Sequence, residues 1–187
     1  MKTHPVTLVK RLLWIAILLP IVTFGDQTDG RLDKLFATLQ TSEDVMVQHE
    51  TILTIWEIWF ESDREDIDKL MEQGSEAVQS DQLERAEQIF TQVIEISPEF
   101  SEGWNRRATV RYYRRDYTGS LDDIKRTLTL EPRHFGAIWG RGMILALQRD
   151  LTGSIRAFEQ LLEINPYSQD AVRRIELLKK EIEKHSV

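Results

Sequence analysis

The chain has 187 residues, with 24 lysine and arginine side chains against 31 aspartate and glutamate side chains, so its net charge at pH 7 is −7. It contains no cysteine, which excludes disulfide bonds and a lipid anchor attached through a cysteine. The acidic balance argues against a nucleic-acid-binding protein, because phosphate backbones attract positively charged surfaces.

The first 25 residues are predicted to form a secretory signal peptide. Lys2, Lys10 and Arg11 precede an apolar run over residues 12–24, which is the pattern of such a peptide. The run of 13 residues is shorter than the about 20 that a membrane-spanning helix needs. Gly25 supplies a small residue for cleavage, and an uncleaved membrane anchor is the alternative. In both cases the remaining chain is expected in the periplasm or otherwise exported, with membrane contact only if the segment stays attached.

Residues 26–66 are predicted to form two amphipathic helices that act as an N-terminal cap. Apolar residues recur at helical spacing in both: Leu32, Leu35, Phe36 and Leu39 in the first, and Val45, His49, Ile52, Leu53, Trp56 and Phe60 in the second. We interpret the pair as a degenerate repeat stacked on the first full repeat, since a terminal repeat has one face in water. Trp56, Trp59 and Trp104 are assigned to the core.

Three prolines, Pro98, Pro132 and Pro166, recur at an interval of 34 residues. This period indicates a stack of repeats, which presents an extended concave surface. Other positions keep the same interval: Gly74, Ala108 and Gly142; Ala86, Ser120 and Ser154; Phe90, Ile124 and Phe158. Each unit is predicted to contain two helices that cross at the small residues, and its proline ends the second helix. The units span residues 67–100, 101–134 and 135–168.

A final amphipathic helix is predicted over residues 169–187. Val172, Ile175, Leu178 and Ile182 share one of its faces, because they are spaced by three or four residues. We expect this face to cover the last repeat as a C-terminal cap.

The repeated units resemble the tetratricopeptide repeat. The middle unit shows the pattern of that family as Trp104, Ala108, Tyr117, Ser120, Ile124 and Pro132. The resemblance implies an all-α fold, a right-handed α-solenoid of antiparallel helix pairs, in which the first helix of each pair lines a concave groove. The chain is also similar to small bacterial members that carry a signal peptide and have no assigned activity. Arg107 and Arg111 depart from the pattern, which has apolar and aromatic residues there, and their charges are expected to stay in water.

The resemblance, together with helical spacing, identifies candidate groove residues. They share one face of a first helix or lie on the final helix: Asn105, Arg106, Thr109, Tyr112 and Tyr113 in the middle unit, Trp139 and Met143 in the third, Met71 in the first, and Arg173 near the end. Asparagine can bind a peptide backbone and arginine a carboxylate. Tryptophan and methionine can receive an apolar side chain.

Some chaperone adaptors of this family hold a C-terminal carboxylate with lysine, asparagine and arginine side chains. The matching positions here are Met71, Ser75, Arg106, Gly136 and Gly140. Binding of an acidic C-terminal tail in that manner is therefore not predicted.

Catalytic, metal and cofactor sites are not predicted. The four histidines are scattered without metal-ligand spacing, and His134 is assigned to the surface. No carboxylate pair lies beside a plausible nucleophile, and Gly140-Arg141-Gly142 lacks the strand and third glycine of a dinucleotide loop. Arginines 106, 107, 111, 114 and 115 point to several faces of one helix, which does not make a nucleic-acid surface.

The protein is therefore expected to bind another protein or peptide, and three functions stay open. The first is an exported adaptor that holds a polypeptide in its groove. The second is a structural subunit that stacks into a homo-oligomer, since residues 26–100 carry 19 acidic and 5 basic side chains, a balance of −14, and residues 101–187 carry 12 and 16, a balance of +4. The third is a chaperone for exported chains.

Overall fold

The computed structural model describes residues 26–185, and the predicted signal peptide lies outside that range. Within the described residues the chain forms nine α-helices and no strand. Their bounds are α1 (Arg31–Thr41), α2 (Val45–Phe60), α3 (Glu65–Gln79), α4 (Leu83–Ile96), α5 (Ser101–Tyr113), α6 (Tyr117–Leu130), α7 (Phe135–Leu147), α8 (Leu151–Ile164) and α9 (Gln169–His185). Successive helices from α3 to α9 pack side by side. The all-α solenoid predicted from the 34-residue period is thereby confirmed.

In each of the three helix pairs, a small residue on the first helix packs against a larger residue on the second helix. A Cβ atom added to Gly142 would lie 2.7 Å from the ring of Phe158, and one added to Gly74 would lie 2.5 Å from the ring of Phe90. The middle pair instead joins Ala108 to Ile124 in its core. Glycine therefore accompanies phenylalanine, and alanine accompanies the smaller isoleucine, because the two helices cross at these residues.

Replacing Gly142 by alanine is expected to lower the free energy of unfolding by about 1–3 kcal/mol, because the added methyl group meets the buried ring of Phe158. The cost should shrink when Phe158 is also changed to isoleucine, which copies the pairing of the middle unit. A double-mutant cycle of urea unfolding measures this coupling. Strictly additive effects of the two substitutions would contradict the packing account.

An ion-pair network joins α4, α5 and α6, where Arg107 and Arg111 replace the apolar residues of the family pattern. Asp123 is 2% exposed. Its two oxygens accept from Arg107 at 2.8 and 2.9 Å, and one also accepts from Arg111 at 2.9 Å. Arg111 reaches Glu87 at 2.9 Å, and Arg114 contacts the same carboxylate. The expectation that the charges of Arg107 and Arg111 stay in water is wrong, because Asp123 and Glu87 neutralise them between the helices.

The N-terminal helix α1 runs across the turns between the repeats. Gln27, just before it, donates to the Glu99 carbonyl at 2.6 Å, and Asp33 pairs with Arg133 at 2.7 Å. Gln40 near its end donates to the Glu163 carbonyl at 3.4 Å. The helix thus passes from the first inter-repeat turn to the end of α8.

Helix α2 returns along the same edge and completes a hairpin with α1. Trp59 stacks on His134 with ring centroids 4.2 Å apart and an interplanar angle of 10°. The hairpin shares one buried cluster with the third repeat and α9: Leu32, Phe36, Leu39, Ile55, Ile58, Trp59, Ile138, Leu161, Ile164 and Ala171. The expectation that residues 26–66 stack on the first repeat as a cap therefore differs from the structure, since the helices of the hairpin pack chiefly on α5 and α8.

The outer face of α3 shows why the hairpin does not cap it. Lys69 and Glu76 are exposed there. The residues 34 positions later, Gly103 and Val110, are buried against the preceding repeat. An exposed lysine and glutamate at these positions keep that end of the stack in water.

Trp104 and Trp56 are less buried than predicted, whereas Trp59 is fully buried. The indole of Trp104 donates to the Pro98 carbonyl at 2.9 Å and lies beneath the guanidinium group of Arg107. At the other end of the chain, Ile175 and Leu178 of α9 pack against Ile155 and Phe158 of the last repeat. None of the helices over residues 26–185 combines the length and apolar character needed to span a membrane.

Candidate functional site

A cavity of about 230 Å³ lies between α5 and α7 on the surface lined by the first helices of the repeats. Its walls are Asn105, Ala108, Thr109, Tyr112, Tyr113, Ser120, Ile124, Gly136, Ala137, Trp139, Gly140 and Met143. Six of the nine candidate groove residues are among them: Asn105, Thr109, Tyr112, Tyr113, Trp139 and Met143. They meet because positions three and four apart share one face of a helix. We call this space the central cavity.

Aromatic rings form the rim of the central cavity. Tyr112 lies edge-on to Tyr113 at 5.8 Å and also contacts Tyr117 at 5.9 Å. Trp139 is half-buried and lies edge-on to the buried ring of Phe158 at 5.0 Å. The cavity therefore combines an aromatic and apolar wall with the amide of Asn105.

A second cavity of about 300 Å³ adjoins the first and has α2 as one wall. Its lining is Leu39, Ile52, Trp56, Phe135, Gly136, Trp139, Leu161, Asn165, Ser168 and Asp170. We call it the hairpin cavity. The two cavities share Gly136 and Trp139. A Cβ atom on Gly136 would lie 2.5 Å from Trp56, so the glycine lets α2 approach α7 this closely.

Ile52 and Trp56 are site residues that the sequence pattern does not predict, because that pattern favours a position for α2 at the end of the stack. One signal was present. Helix α2 carries apolar residues on both faces: Ile55 and Ile58 are buried in the hairpin core, while Ile52 and Trp56 are half-buried and line the cavity. A helix that is apolar on every side usually contacts protein on more than one side.

Three candidate residues do not line the central cavity. Met71 is 0% exposed and belongs to the core of the first repeat, so its assignment to the groove is wrong. Arg106 is held by Glu102 and lies 5.1 Å from the ring centre of Phe60 in α2. Its guanidinium group is therefore engaged within the chain. Arg173 is exposed and pairs with Asp170, which places it at the rim of the hairpin cavity.

A buried polar cluster lies beside the central cavity. Glu102 and His134 are both 0% exposed, and the His134 Nε2 atom lies 2.9 Å from the Glu102 carboxylate. The same carboxylate accepts from Asn105 at 2.9 Å and from Arg106. His134 Nδ1 accepts from the Ala137 amide at 3.2 Å. Because Nδ1 accepts this hydrogen bond, Nε2 is the ring nitrogen that donates to Glu102.

His134 is the N-terminal capping residue of α7, and its assignment to the surface is wrong. The ring is covered by Trp59 of the hairpin, which sequence spacing alone could not place. Both Glu102 and His134 are closed off from solvent. The cluster fixes Asn105 and the start of α7, and its role is structural. Over the described part of the chain, no group of three metal-binding side chains is found.

The carboxyl group of Glu102 is stabilised in its charged form. Burial alone would raise its pKa, but the charge of Arg106 and the hydrogen bonds from His134 and Arg106 outweigh burial, so the pKa of Glu102 lies below its ordinary value. In the unfolded chain a glutamate titrates near pH 4.3. The contribution of this lowered pKa to the free energy of unfolding is therefore complete above about pH 4.3. It is lost as the pH falls through the lower pKa of the folded state.

The substitution Glu102→Gln is expected to flatten the acid branch of the stability curve. Urea unfolding from about pH 6 to about pH 3 should show a smaller loss of unfolding free energy in the variant, since it removes one group whose pKa is lowered on folding. The exposed Glu159 on α8 supplies a matched control, Glu159→Gln. An unchanged pH dependence in Glu102→Gln would contradict the assignment.

Comparison with known proteins identifies the family. A TPR repeat-containing protein of Rhizobium etli is 31% identical over 148 residues, which cover 79% of this chain and 72% of that relative. The chain belongs to the tetratricopeptide-repeat (TPR) family. The E3 ubiquitin-protein ligase CHIP of Arabidopsis thaliana is 21% identical over 117 residues, and the match spans 42% of that protein. No family model matches the chain.

Solved structures of low sequence identity share the fold of this TPR protein. The first TPR domain of RPAP3, bound to an HSP90 peptide, has a TM-score of 0.59 at 16% identity and covers 62% of this chain and 92% of that one. The Sgt2 TPR domain of Aspergillus fumigatus has a TM-score of 0.61 at 22% identity, with coverage of 66% and 83%. The Yersinia enterocolitica chaperone SycD, bound to a YopD peptide, has a TM-score of 0.59 at 11% identity, with coverage of 63% and 95%.

Proposed function

We propose that this TPR protein is a non-enzymatic adaptor that binds a polypeptide segment in its concave groove. The observation that carries the proposal is the pair of adjoining cavities, which meet at Trp139 and together offer a continuous apolar and aromatic surface. Support comes from solved TPR structures bound to peptides of HSP90 and YopD. The groove residues are proposed to supply the contacts.

Each part of the central cavity has a chemical role in the proposal. Asn105 donates one amide hydrogen to Glu102, which leaves its second N–H and its carbonyl oxygen for a peptide backbone. Trp139, Tyr112 and Met143 provide the apolar contact surface. Arg106 is not assigned to a carboxylate of the partner, because Glu102 already holds its guanidinium group.

Site-specific photo-cross-linking tests the groove. A photoreactive amino acid at Met143 is expected to capture a partner polypeptide, which mass spectrometry then identifies. The matched control carries the same group at Arg156, an exposed position on α8. The purified partner should bind the parent at least tenfold more tightly than the Asn105→Ala/Trp139→Ala variant, a loss of about 1.4 kcal/mol or more. Equal capture at both positions would overturn the groove assignment.

Export is the second part of the proposal, and it rests on the basic and apolar pattern of residues 1–25. N-terminal sequencing of the chain from an exported fraction is expected to begin at Asp26. An intact chain held in the membrane, with its repeats accessible from the periplasm, would support the anchored alternative. An intact soluble chain in the cytoplasm would overturn export.

Head-to-tail stacking is a second candidate function, favoured by the uncovered ends of the solenoid. The outer face of α3 exposes Glu76, whereas α9 exposes Lys179, Lys180 and Leu177. Opposite charges on two different faces would produce an open chain of subunits. Sedimentation velocity should then show oligomers that shrink with added salt. A monomer at low salt would exclude this function.

A further inference from the structure

We infer that the groove recognises a polypeptide segment with an apolar anchor side chain at the hairpin cavity and lysine or arginine side chains over α3. The inference rests on the proposed function and names the chemistry of the partner. The occupant is opposite in charge to the acidic HSP90 peptide SRMEEVD bound by the first TPR domain of RPAP3.

The preference for an apolar anchor side chain in the partner follows from the residues that line the hairpin cavity. Ile52 and Trp56 of α2 face Phe135 and Trp139 of α7, with Leu161 of α8 contributing to the lining. Trp139 is half-buried and forms part of both cavities. A leucine- or phenylalanine-sized side chain entering beside Trp139 would bury apolar surface against several different helices, which is the main source of binding energy in such sites.

The preference for lysine or arginine side chains in the partner follows from an acidic surface at the opposite end of the groove. A concave surface between Phe60 and α3 is lined by Glu65, Asp68, Lys69, Glu72, Ser75, Glu76 and Gln79. Lys69 is paired with Glu65 at 2.6 Å. Within residues 26–185, no cation lies within ion-pair distance of the exposed Glu72 or Glu76. A segment crossing this surface therefore meets net negative charge.

The repeat register places these two surfaces along one groove. Glu72 occupies the position of Arg106 and Gly140 in the later units, and Ser75 occupies that of Thr109 and Met143, at intervals of 34 residues. Neighbouring first helices are about 10 Å apart, so α3 and α7 are separated by roughly 20 Å. An extended segment covers that distance in about six residues. The basic and apolar side chains of the partner should be separated by about that number.

Selection from a random peptide library tests the inference without a known partner. The full chain is immobilised and offered displayed peptides of about twelve residues, twice the span of the groove. Peptides captured by the parent but not by Trp139→Ala are sequenced. We expect them to be enriched in lysine and arginine over aspartate and glutamate, with an apolar residue about six positions away.

Two variants, tested with representative selected peptides, then separate the charge preference from the apolar preference. Glu72→Gln/Glu76→Gln should weaken binding roughly fivefold at low salt, whereas the control Glu159→Gln on α8 leaves it unchanged. Ile52→Ser should remove the preference for the apolar residue. Circular dichroism and urea unfolding confirm that the variants remain folded.

The outcomes separate the inference from the function on which it rests. If the Trp139-dependent peptides are neutral or acidic, or if Glu72→Gln/Glu76→Gln binds as well as the parent, the inference is overturned and the groove remains a peptide site. If no selected peptide depends on Trp139, the groove function itself is overturned.

Discussion

Replacing Trp59 by alanine is expected to lower the free energy of unfolding by about 3–5 kcal/mol, the range for a large aromatic side chain removed from a core. Trp59 is 0% exposed. Its ring stacks on His134 at 4.2 Å and contacts Trp56, Phe135 and Phe36 at centroid distances of 5.5, 4.8 and 6.0 Å. No other side chain of the hairpin joins so many rings of the hairpin and of the repeats among the described residues.

The destabilisation caused by Trp59→Ala should differ between segments of the chain. The hairpin of α1 and α2 contacts the solenoid chiefly through the cluster that contains Trp59, whereas the first repeat has its own core around Phe90 and Met71, against which Phe60 at the end of α2 packs. Amide hydrogen exchange should therefore accelerate strongly in residues 31–60 and little in α3 and α4. Opening of the hairpin would also expose His134, which Trp59 covers.

The exposed residue Val45 supplies the control for this experiment. It lies on the same helix and is 78% exposed, so Val45→Ala should change the free energy of unfolding by no more than about 0.5 kcal/mol. Equal acceleration of exchange in every helix of Trp59→Ala would show that the hairpin and the repeats unfold as one unit, contrary to this account.

The second large effect is expected for Asp123→Ala, which should lower the free energy of unfolding by about 3–5 kcal/mol. Asp123 accepts hydrogen bonds from both Arg107 and Arg111. The Arg107 side chain is only 12% exposed. Removing the carboxylate leaves a guanidinium group between helices without its partner, and an uncompensated buried charge is more costly than the loss of the pair as a whole.

Replacing all three charged residues tests whether the loss of stability in Asp123→Ala comes from an unpaired buried charge or only from lost packing. The triple variant Asp123→Leu, Arg107→Leu and Arg111→Leu removes all three charges, and it should recover most of the stability lost in Asp123→Ala. Glu87 also pairs with Arg114, a residue that the triple variant retains. Asp122→Ala, at an exposed neighbouring position, is the control. A triple variant less stable than Asp123→Ala would contradict the electrostatic account. Urea unfolding measures each variant.

The repeat architecture and the face that carries the central cavity can both be predicted from the amino-acid sequence. Helical spacing and the 34-residue period depend on contacts between neighbours along the chain and between adjacent repeats, so the spacing alone places Asn105, Thr109, Tyr112 and Tyr113 on one face. Trp139 and Met143 follow from the same register one repeat later.

The position of the N-terminal hairpin, in contrast, depends on long-range packing, and several site residues depend on that position. Apolar residues on both faces of α2 give no direction for packing, and the contact with α7 joins residues about 80 positions apart in the chain. The burial of His134, the engagement of Arg106 and the wall formed by Ile52 and Trp56 all follow from it. Such long-range contacts produce no periodic pattern in the sequence, because the residue spacing within one segment does not specify which distant surface covers it.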